Sequence, residues 1–206
     1  VHVFLEREKG TLYLDTSGEP LYKRGYRAER GEAPLKENLA AGILALTGWN
    51  AEEPLFDPMC GSGTFVIEAA MMALRIAPGA GRSFGFERLL AYDPKLWRSL
   101  RDAATAVQEQ PRALPVFGSD ISGRELRYAH ENLKAAGLDD AVELRKSDVL
   151  EVPPPAPCGV MVMNPPYGAR LGVEQAMADF YPRLGDALKR SFAGWRCYIF
   201  SADTEL

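Results

Sequence analysis

Four short apolar runs of this chain each end in a polar side chain, and this regularity limits the folds that the chain can adopt. The runs begin at residues 54, 115, 141 and 160, and they end at or near Asp57, Asp120, Asp148 and Asn164. Stretches of helical length separate them. Strands alternating with helices predict an α/β fold with a doubly wound, mostly parallel sheet. Ligands of such sheets bind at the carboxyl ends of the strands, so the four polar residues are candidate site residues.

Helical spacing of apolar residues fills the intervals between these runs. The predicted helices cover about 34–48, 64–75, 122–137 and 174–192, and a last strand is predicted at 197–201. The first helix, starting at Pro34, would bury a face formed by Leu35, Leu39, Ile43 and Leu46. Ser122 and Glu125 match a capping box, and Pro182 is expected to divide the fourth helix into two pieces. Residues 76–114 are interpreted as an insertion with a helix near 93–109.

The first thirty residues differ from the rest of the chain. Alternating apolar residues over 1–15, with Lys9-Gly10 between them, predict a β-hairpin. The segment 21–30 then carries four Lys and Arg side chains, one acid and two tyrosines. Such a cluster is typical of a solvated surface turn, or else of a surface that contacts nucleic acid. We therefore divide the chain into a hairpin and linker, residues 1–30, and a main domain, residues 31–206.

Composition excludes several classes of protein. A net charge of −4 argues against strong nucleic-acid binding by this chain alone. No apolar run approaches the ~18 residues of a membrane span, so no membrane partner is expected. The three cysteines are scattered, which favours a reduced, cytoplasmic protein without a disulfide framework or a zinc site. Because the chain begins at Val1 without a signal segment, it is expected to be part of a longer polypeptide.

A glycine-rich sequence, Asp57-Pro58-Met59-Cys60-Gly61-Ser62-Gly63-Thr64, follows the first parallel strand and is called the glycine loop below. Gly61 and Gly63 would let the backbone pass close to a ligand. The helix that begins near Thr64 would direct free N–H groups at an anion such as a carboxylate. A dinucleotide fingerprint needs a third glycine where this chain has Val66, so the loop alone supports NAD only weakly. A plain tight turn is the alternative.

Asp120 and Asp148 end the next two strands of the predicted sheet. An acid at the end of the second strand commonly accepts hydrogen bonds from ribose hydroxyls, and this role is predicted for Asp120. The alternative is that Asp120 only helps to cap the following helix. Asp148 has the position to accept from an adenine amino group, although a solvated loop acid would look the same in the sequence.

The sequence Asn164-Pro165-Pro166-Tyr167 carries the most specific chemistry. Its two prolines fix φ and remove two backbone donors, and Asn164 is biased toward an extended conformation. A stiff corner of this kind can accept both N–H bonds of a nucleobase amine, through Asn164 Oδ1 and the Pro165 carbonyl. The nitrogen lone pair is then directed at an electrophile. Tyr167 would stack on the base, which must leave its own stack to enter the corner.

Together these motifs resemble the class I S-adenosyl-methionine-dependent methyltransferases. Residues 21–27, 32–40 and 164–172 are similar to the THUMP-linked 23S rRNA guanine-N2 methyltransferases of the RlmL type. The resemblance implies a Rossmann-like fold and a guanine N2 substrate in 23S ribosomal RNA. It also implies that 31–206 are the catalytic domain and that 1–30 adjoin an RNA-binding THUMP module outside this chain. That module would supply much of the RNA affinity. The last antiparallel strands of the sheet are expected to be absent.

The resemblance implies roles for individual residues. The catalytic residues would be Asn164, Pro165, Pro166 and Tyr167. The cofactor, S-adenosyl-L-methionine, would contact Pro34, Lys36, Asp57, Pro58, Cys60, Gly61, Gly63, Thr64, Asp120, Ile121, Asp148, Val149 and Asn164. The segment 33–36 would close over it, and no metal is required.

Two other functions stay open at this point. DNA adenine-N6 and cytosine-N4 methyltransferases use the same Asn-Pro-Pro-Tyr motif, and a catalytically silent RNA-binding module would keep the same fold. An NAD oxidoreductase is disfavoured by Val66 and by the diproline corner, which hydride transfer does not require.

Overall fold

The computed structural model describes residues 1–27, 35–165 and 173–201, with the side chains of the last segment described from residue 179. The elements are β1 (His2–Glu6), β2 (Lys9–Tyr13), α1 (Glu37–Leu46), β3 (Leu55–Asp57), α2 (Thr64–Ala73), α3 (Pro94–Ala106), β4 (Val116–Asp120), α4 (Gly123–Ala135), β5 (Glu143–Lys146), β6 (Gly159–Met163), α5 (Val173–Ser191) and β7 (Trp195–Ile199). A short 3₁₀ helix, Gly85–Arg88, precedes α3. No helix in the described part of the chain is long and apolar enough to cross a bilayer.

Five parallel strands form the main sheet, in the order β5-β4-β3-β6-β7. The chain runs outward from β3 through β4 to β5, and then returns to the other side of β3 for β6 and β7. The strand order therefore reverses between β3 and β6, where Leu55 pairs with Val160 and Phe56 pairs with Met161. This arrangement confirms the predicted doubly wound α/β fold, and it places the switch point of the sheet between the strands that precede Asp57 and Asn164.

The two faces of the sheet carry separate cores. Alternate residues of a strand point to opposite faces, so Leu55, Val160 and Val162 pack with α1, α2 and α4. Phe56 and Met161 pack on the other face with the end of α5. Both strands at the switch point are thus buried on both sides, which fixes the position of the loops that follow them.

The N-terminal hairpin forms as predicted, but its turn differs from the prediction. β1 and β2 pair antiparallel, with Glu6 opposite Lys9, so the two-residue loop is Arg7-Glu8 and not Lys9-Gly10. Arg7 adopts the positive φ of 52° that such a turn requires. Every residue of both strands is exposed, so the hairpin adds nothing to the two cores.

Four predicted elements need correction. Helix α1 begins at Glu37, and it buries Glu37, Ala40 and Leu44, whereas Leu46 of the predicted apolar face is 87% exposed. Glu37 takes this position because it pairs with a buried arginine described below. Helix α5 is continuous through Pro182, since Leu184 in its second half and Phe192 directly after it are anchored in the core. Strand β5 begins two residues later than predicted, at Glu143, and β7 begins at Trp195 rather than at residue 197.

The predicted insertion does contain a helix, α3. Asp93 caps it by accepting hydrogen bonds from the backbone N–H groups of Lys95 and Leu96, at 2.8 and 3.1 Å. No residue of α3 is buried, so this helix lies outside both cores.

Candidate functional site

Three acids predicted for the site share one local structure. The Oδ1 atom of each accepts a hydrogen bond from the backbone N–H two residues later, an Asx turn at the strand end for Asp57 and Asp120 and two residues beyond β5 for Asp148. The pairs are Asp57 with Met59 at 3.1 Å, Asp120 with Ser122 at 2.8 Å, and Asp148 with Leu150 at 2.9 Å. Because each carboxyl group is held by the turn that it creates, its position follows from the strand that precedes it.

Asp120 also connects two neighbouring strand ends. Its Oδ2 atom accepts a hydrogen bond from the backbone N–H of Gly61 at 2.9 Å, which joins the end of β4 to the glycine loop. Its Oδ1 atom holds Ser122, the N-cap of α4, and Ser122 Oγ accepts from Glu125 N at 3.3 Å. Each carboxylate oxygen can accept more than one hydrogen bond, so Asp120 retains acceptor capacity for a ligand hydroxyl.

The glycine loop turns tightly onto helix α4. Gly61 and Gly63 have φ values of 53° and 88°, a region that glycine adopts without strain. A Cβ at Gly63 would lie 3.1 Å from the Cβ of Ala129, so α4 also limits the space for a side chain. Asn132 Nδ2 donates to the carbonyl of Ser62 at 3.0 Å, and this buried bond holds the loop from below. The loop is therefore fixed by backbone conformation and by its neighbours.

Burial changes the protonation of two groups in the loop. Burial raises the pKa of Asp57 to about 8, opposed by the Met59 N–H and reinforced by the nearby charge of Asp120. Burial also raises the pKa of the Cys60 thiol well above its usual value, with Asp57 and Asp120 adding to the shift. The thiol is consequently neutral and unreactive at physiological pH. Within the described residues, no three metal-ligating side chains come together.

Asn164 differs from the three acids. Its Oδ1 atom is buried, and no described residue donates a hydrogen bond to it. Pro165, which follows, is buried and has no N–H to offer. A buried acceptor without a donor costs roughly 1–3 kcal/mol, unless a ligand supplies the donor. The end of β6 is thus suited to receive an N–H group, and it lies next to the strand that leads into the glycine loop.

The other predicted site residues lie in different surroundings. Thr64 is buried at the start of α2, and buried Pro58 accepts a hydrogen bond from Ser119 Oγ through its carbonyl, at 3.3 Å. Lys36 is exposed, with Nζ 5.3 Å from the centre of the Tyr22 ring. Ile121 is 65% exposed beside Asp120, whereas Val149 is buried in the second core. Pro34, Pro166 and Tyr167 lie outside the described residues.

Sequence reasoning missed the residues that hold the glycine loop from outside. Arg27 was included in the basic cluster, yet its side chain is 9% exposed and contacts Ser62, Thr64 and Glu37. Asn132 belongs to none of the motifs in the sequence. Its role could have been inferred from its position, because it is a polar residue beside Ala129 and Leu133 on the buried face of α4.

Comparison with known proteins gives a consistent result. A family model described as "RMKL-like, methyltransferase domain" matches residues 24–206. The chain is 46% identical, over 98% of its length, to a Psychromonas ingrahamii protein named ribosomal RNA large subunit methyltransferase K/L. It is 43% identical, over its full length, to a Vibrio campbellii protein of the same name. It spans only 28% and 30% of those two relatives, and 54% of another curated relative.

Solved structures agree in fold. A crystal structure of SMU.472, described as a candidate methyltransferase complexed with SAH, has a TM-score of 0.85 and 39% identity. The match covers 93% of this chain and 50% of that one. A Listeria monocytogenes protein described as a predicted N6-adenine-specific DNA methylase has a TM-score of 0.82 and 39% identity, over 92% of this chain and half of its own.

Proposed function

This chain belongs to the RMKL-like methyltransferase domain family, and we propose that it transfers the methyl group of S-adenosyl-methionine to the exocyclic N2 amine of a guanine in large-subunit ribosomal RNA. The observation that carries the proposal is the buried Oδ1 atom of Asn164, which accepts no hydrogen bond from any described residue and lies beside a rigid glycine loop. Relatives named for methylation of large-subunit ribosomal RNA support the RNA substrate. The resemblance to the RlmL type supports guanine N2.

The described residues fit the cofactor. S-adenosyl-methionine supplies an electrophilic methyl group on a sulfonium ion. Its amino-acid end suits the glycine loop, because Gly61 and Gly63, both at positive φ, place no side chain in the loop and the N-terminus of α2 favours a carboxylate. Asp120 accepts from the ribose hydroxyls with its remaining lone pairs, and Asp148 from the adenine amine.

The amine is held on the other side of the switch point. Asn164 Oδ1 accepts one of its N–H bonds and the Pro165 carbonyl accepts the other. Accepting both bonds turns the nitrogen lone pair away from the base ring and toward the cofactor side of the site. Orientation of this kind can lower the activation free energy by several kcal/mol, within the ~7–11 kcal/mol available to well-oriented reactants. Pro166 and Tyr167 keep their predicted roles as a stiffener and a stacking platform.

A second candidate is methylation of adenine N6 in DNA. The similarity to the Listeria monocytogenes protein described as a predicted DNA methylase favours it, as does the Asn-Pro-Pro-Tyr motif itself. Adenine N6 and guanine N2 are both exocyclic amines with two N–H donors, so Asn164 and Pro165 would hold either one.

The experiment that separates them uses the whole polypeptide and isotopically labelled cofactor. It is incubated in turn with unmodified large-subunit ribosomal RNA and with DNA, and the labelled nucleoside is identified by mass spectrometry after digestion. We expect label in N2-methylguanosine from RNA alone. Label in N6-methyladenine from DNA would replace the proposal by the second candidate. Cofactor binding without label in either substrate would contradict both.

A further inference from the structure

The guanidinium group of Arg27 joins three segments of the chain beside the glycine loop. Its Nε donates to Glu37 Oε1 at 2.8 Å and its Nη2 donates to the carbonyl of Leu35 at 3.1 Å. Nη2 also donates to Thr64 Oγ1 at 3.0 Å, and Nη1 donates to Ser62 Oγ at 3.4 Å. The side chains of Arg27 and Glu37 are only 9% and 5% exposed, so the pair is enclosed by protein.

The ion pair with Glu37 offsets the cost of placing the Arg27 cation near the N-terminus of α2. A positive charge near a helix N-terminus is opposed by the helix dipole, and Thr64 is the first residue of α2. The carboxylate of Glu37 neutralises the guanidinium at hydrogen-bond distance. Toward the glycine loop, the Arg27 guanidinium therefore presents a rigid fork of N–H donors and no hydrogen-bond acceptor.

That fork determines the direction of two hydroxyl groups. A hydroxyl that accepts from an arginine must turn its own proton elsewhere, because arginine has no acceptor. The hydroxyls of Ser62 and Thr64 therefore present their protons away from Arg27. The N-cap of α2 is Gly63, which supplies no side-chain cap, so these hydroxyls are the side-chain groups of the loop placed to serve a ligand at the helix start.

Arg24, three residues before Arg27, can be compared with it directly. Its side chain is 10% exposed and pairs with Glu68 on α2, at 3.4 Å, where Tyr26 also donates to Glu68 at 3.0 Å. Glu68 lies one turn beyond Thr64, and none of the hydrogen bonds of Arg24 reaches the glycine loop. Arg24 and Arg27 are thus similar in burial and in ion pairing, and they differ in contact with the loop.

We propose that Arg27 is a positioning residue for cofactor binding: it fixes the Ser62 and Thr64 hydroxyls as hydrogen-bond donors to the carboxylate at the amino-acid end of the cofactor. The inference rests on the proposed function, because it takes the glycine loop as the place where that end binds. It assigns the basic segment a role in the cofactor site, where its sequence indicated a surface turn or an RNA contact.

The test compares two ligands that differ in the amino-acid end. S-adenosylhomocysteine carries the carboxylate, and 5′-methylthioadenosine keeps the adenosine and the sulfur without it. Both are titrated by calorimetry into the wild-type chain and into Arg27→Met. We expect S-adenosylhomocysteine to bind at least about ten-fold more weakly to the variant, the effect of losing a hydrogen bond to a charged group. Methylthioadenosine should change by less than about two-fold, because it makes no contact with these hydroxyls.

Arg24→Met is the matched control, because it removes an equally buried arginine of the same segment. It is expected to leave the affinity for both ligands within about two-fold of wild type. Equal losses for both ligands in Arg27→Met, or the same selective loss in Arg24→Met, would show that the effect is structural and would overturn the positioning role. Unchanged binding of S-adenosylhomocysteine by Arg27→Met would do the same.

A second variant covers the case in which Arg27→Met does not fold. Arg27→Lys keeps a positive charge opposite Glu37 but lacks the planar fork, so it cannot reach Thr64 and Ser62 together. It should show a smaller loss with the same ligand selectivity, and a loss without selectivity would contradict the proposal.

Failure of the premise can be recognised separately. Gly63→Ala introduces a Cβ at a φ of 88° and at 3.1 Å from Ala129, so it should weaken the binding of S-adenosylhomocysteine if the glycine loop is the cofactor site. If Gly63→Ala folds and binds as wild type does, the site assignment fails. If Gly63→Ala loses binding and Arg27→Met does not, only the positioning role fails.

Discussion

The two sides of the switch point are built on different principles. On the side of β3 and β4, the polar atoms already have partners: Asp57 holds Met59, and Asp120 holds both Gly61 and Ser122. On the side of β6, the Oδ1 atom of Asn164 is buried without a donor among the described residues. On the first side, called the braced side below, the protein itself holds the polar groups, whereas on the second side no described residue donates to Asn164 Oδ1.

The difference matches what each side is proposed to do. A cofactor that is used in every turnover is best served by a rigid pocket, since no energy is then spent on ordering it. A nucleobase amine must be reoriented for reaction, and an unpartnered acceptor gains most when that amine supplies its donors. The contrast predicts that substitutions at Asn164 affect transfer, and that substitutions around the glycine loop affect cofactor binding.

The largest effect is expected for Asn164→Ala, which removes the Oδ1 acceptor. The rate of methyl transfer should fall by about 10²–10³-fold or more, comparable to the loss of one preorganised hydrogen-bonding group in other enzymes. Binding of S-adenosylhomocysteine should change by less than about three-fold, because Asn164 is only one of the implied cofactor contacts and the glycine loop and Asp120 are untouched. Single-turnover transfer to RNA and calorimetry measure the two quantities.

Asn164→Asp serves as the control for this substitution. It keeps an acceptor oxygen at the same place, so it should retain more transfer activity than Asn164→Ala. Transfer by Asn164→Ala at the wild-type rate, or a loss explained entirely by cofactor affinity, would remove the distinction between the two sides.

The sequence predicted the strands on both sides of the switch point better than the side-chain hydrogen bonds that hold the glycine loop. Apolar runs bounded by Asp57, Asp120 and Asn164 were sufficient for the doubly wound sheet, because strand and helix periods depend on local pattern. The family resemblance was confirmed by the match over residues 24–206. The hydrogen bonds of Arg27 could not be predicted, because they join residues that are 8 to 37 positions apart in the chain.

Helix α1 shows why local pattern failed elsewhere. Its spacing placed Leu39 and Leu46 on the apolar face, but these two are 41% and 87% exposed. The ion pair of Glu37 with Arg27 fixes the first turn of the helix instead, and Ala40 and Leu44 follow it into the core. A buried charge pair therefore outweighed the hydrophobic period in this element, as tertiary contacts often do.

A second prediction concerns the pH dependence of stability on the braced side. Burial raises the pKa of Asp57 to about 8 from 3.8. Between these values the folded state holds a proton that the unfolded state releases, so this contribution to stability is full at low pH and is lost as the pH rises toward 8. Asp57→Asn cannot titrate, so the variant should gain stability relative to wild type by on the order of 1 kcal/mol per pH unit over that window.

Urea unfolding of both proteins at pH 5, 6.5 and 8 measures this trend. Asp139→Asn, at an exposed position, controls for the substitution itself. A difference between Asp57→Asn and wild type that does not vary with pH would mean that Asp57 is ionised in the folded protein. The braced side would then hold a buried charge rather than a proton.

The smallest effect is expected at Ile121, an apolar residue on the braced side that is largely uncovered. Ile121 is 65% exposed beside Asp120, although the residues around it are fixed. If the adenosine of the cofactor covers this side chain, Ile121→Ala should cost about 1 kcal/mol of binding, or about five-fold in the Kd of S-adenosylhomocysteine. Folding stability should stay unchanged, because an exposed side chain contributes little to the core.

Leu46→Ala is the matched control, since Leu46 is 87% exposed on α1. An equal loss in both variants, or none in Ile121→Ala, would show that the cofactor does not cover Ile121.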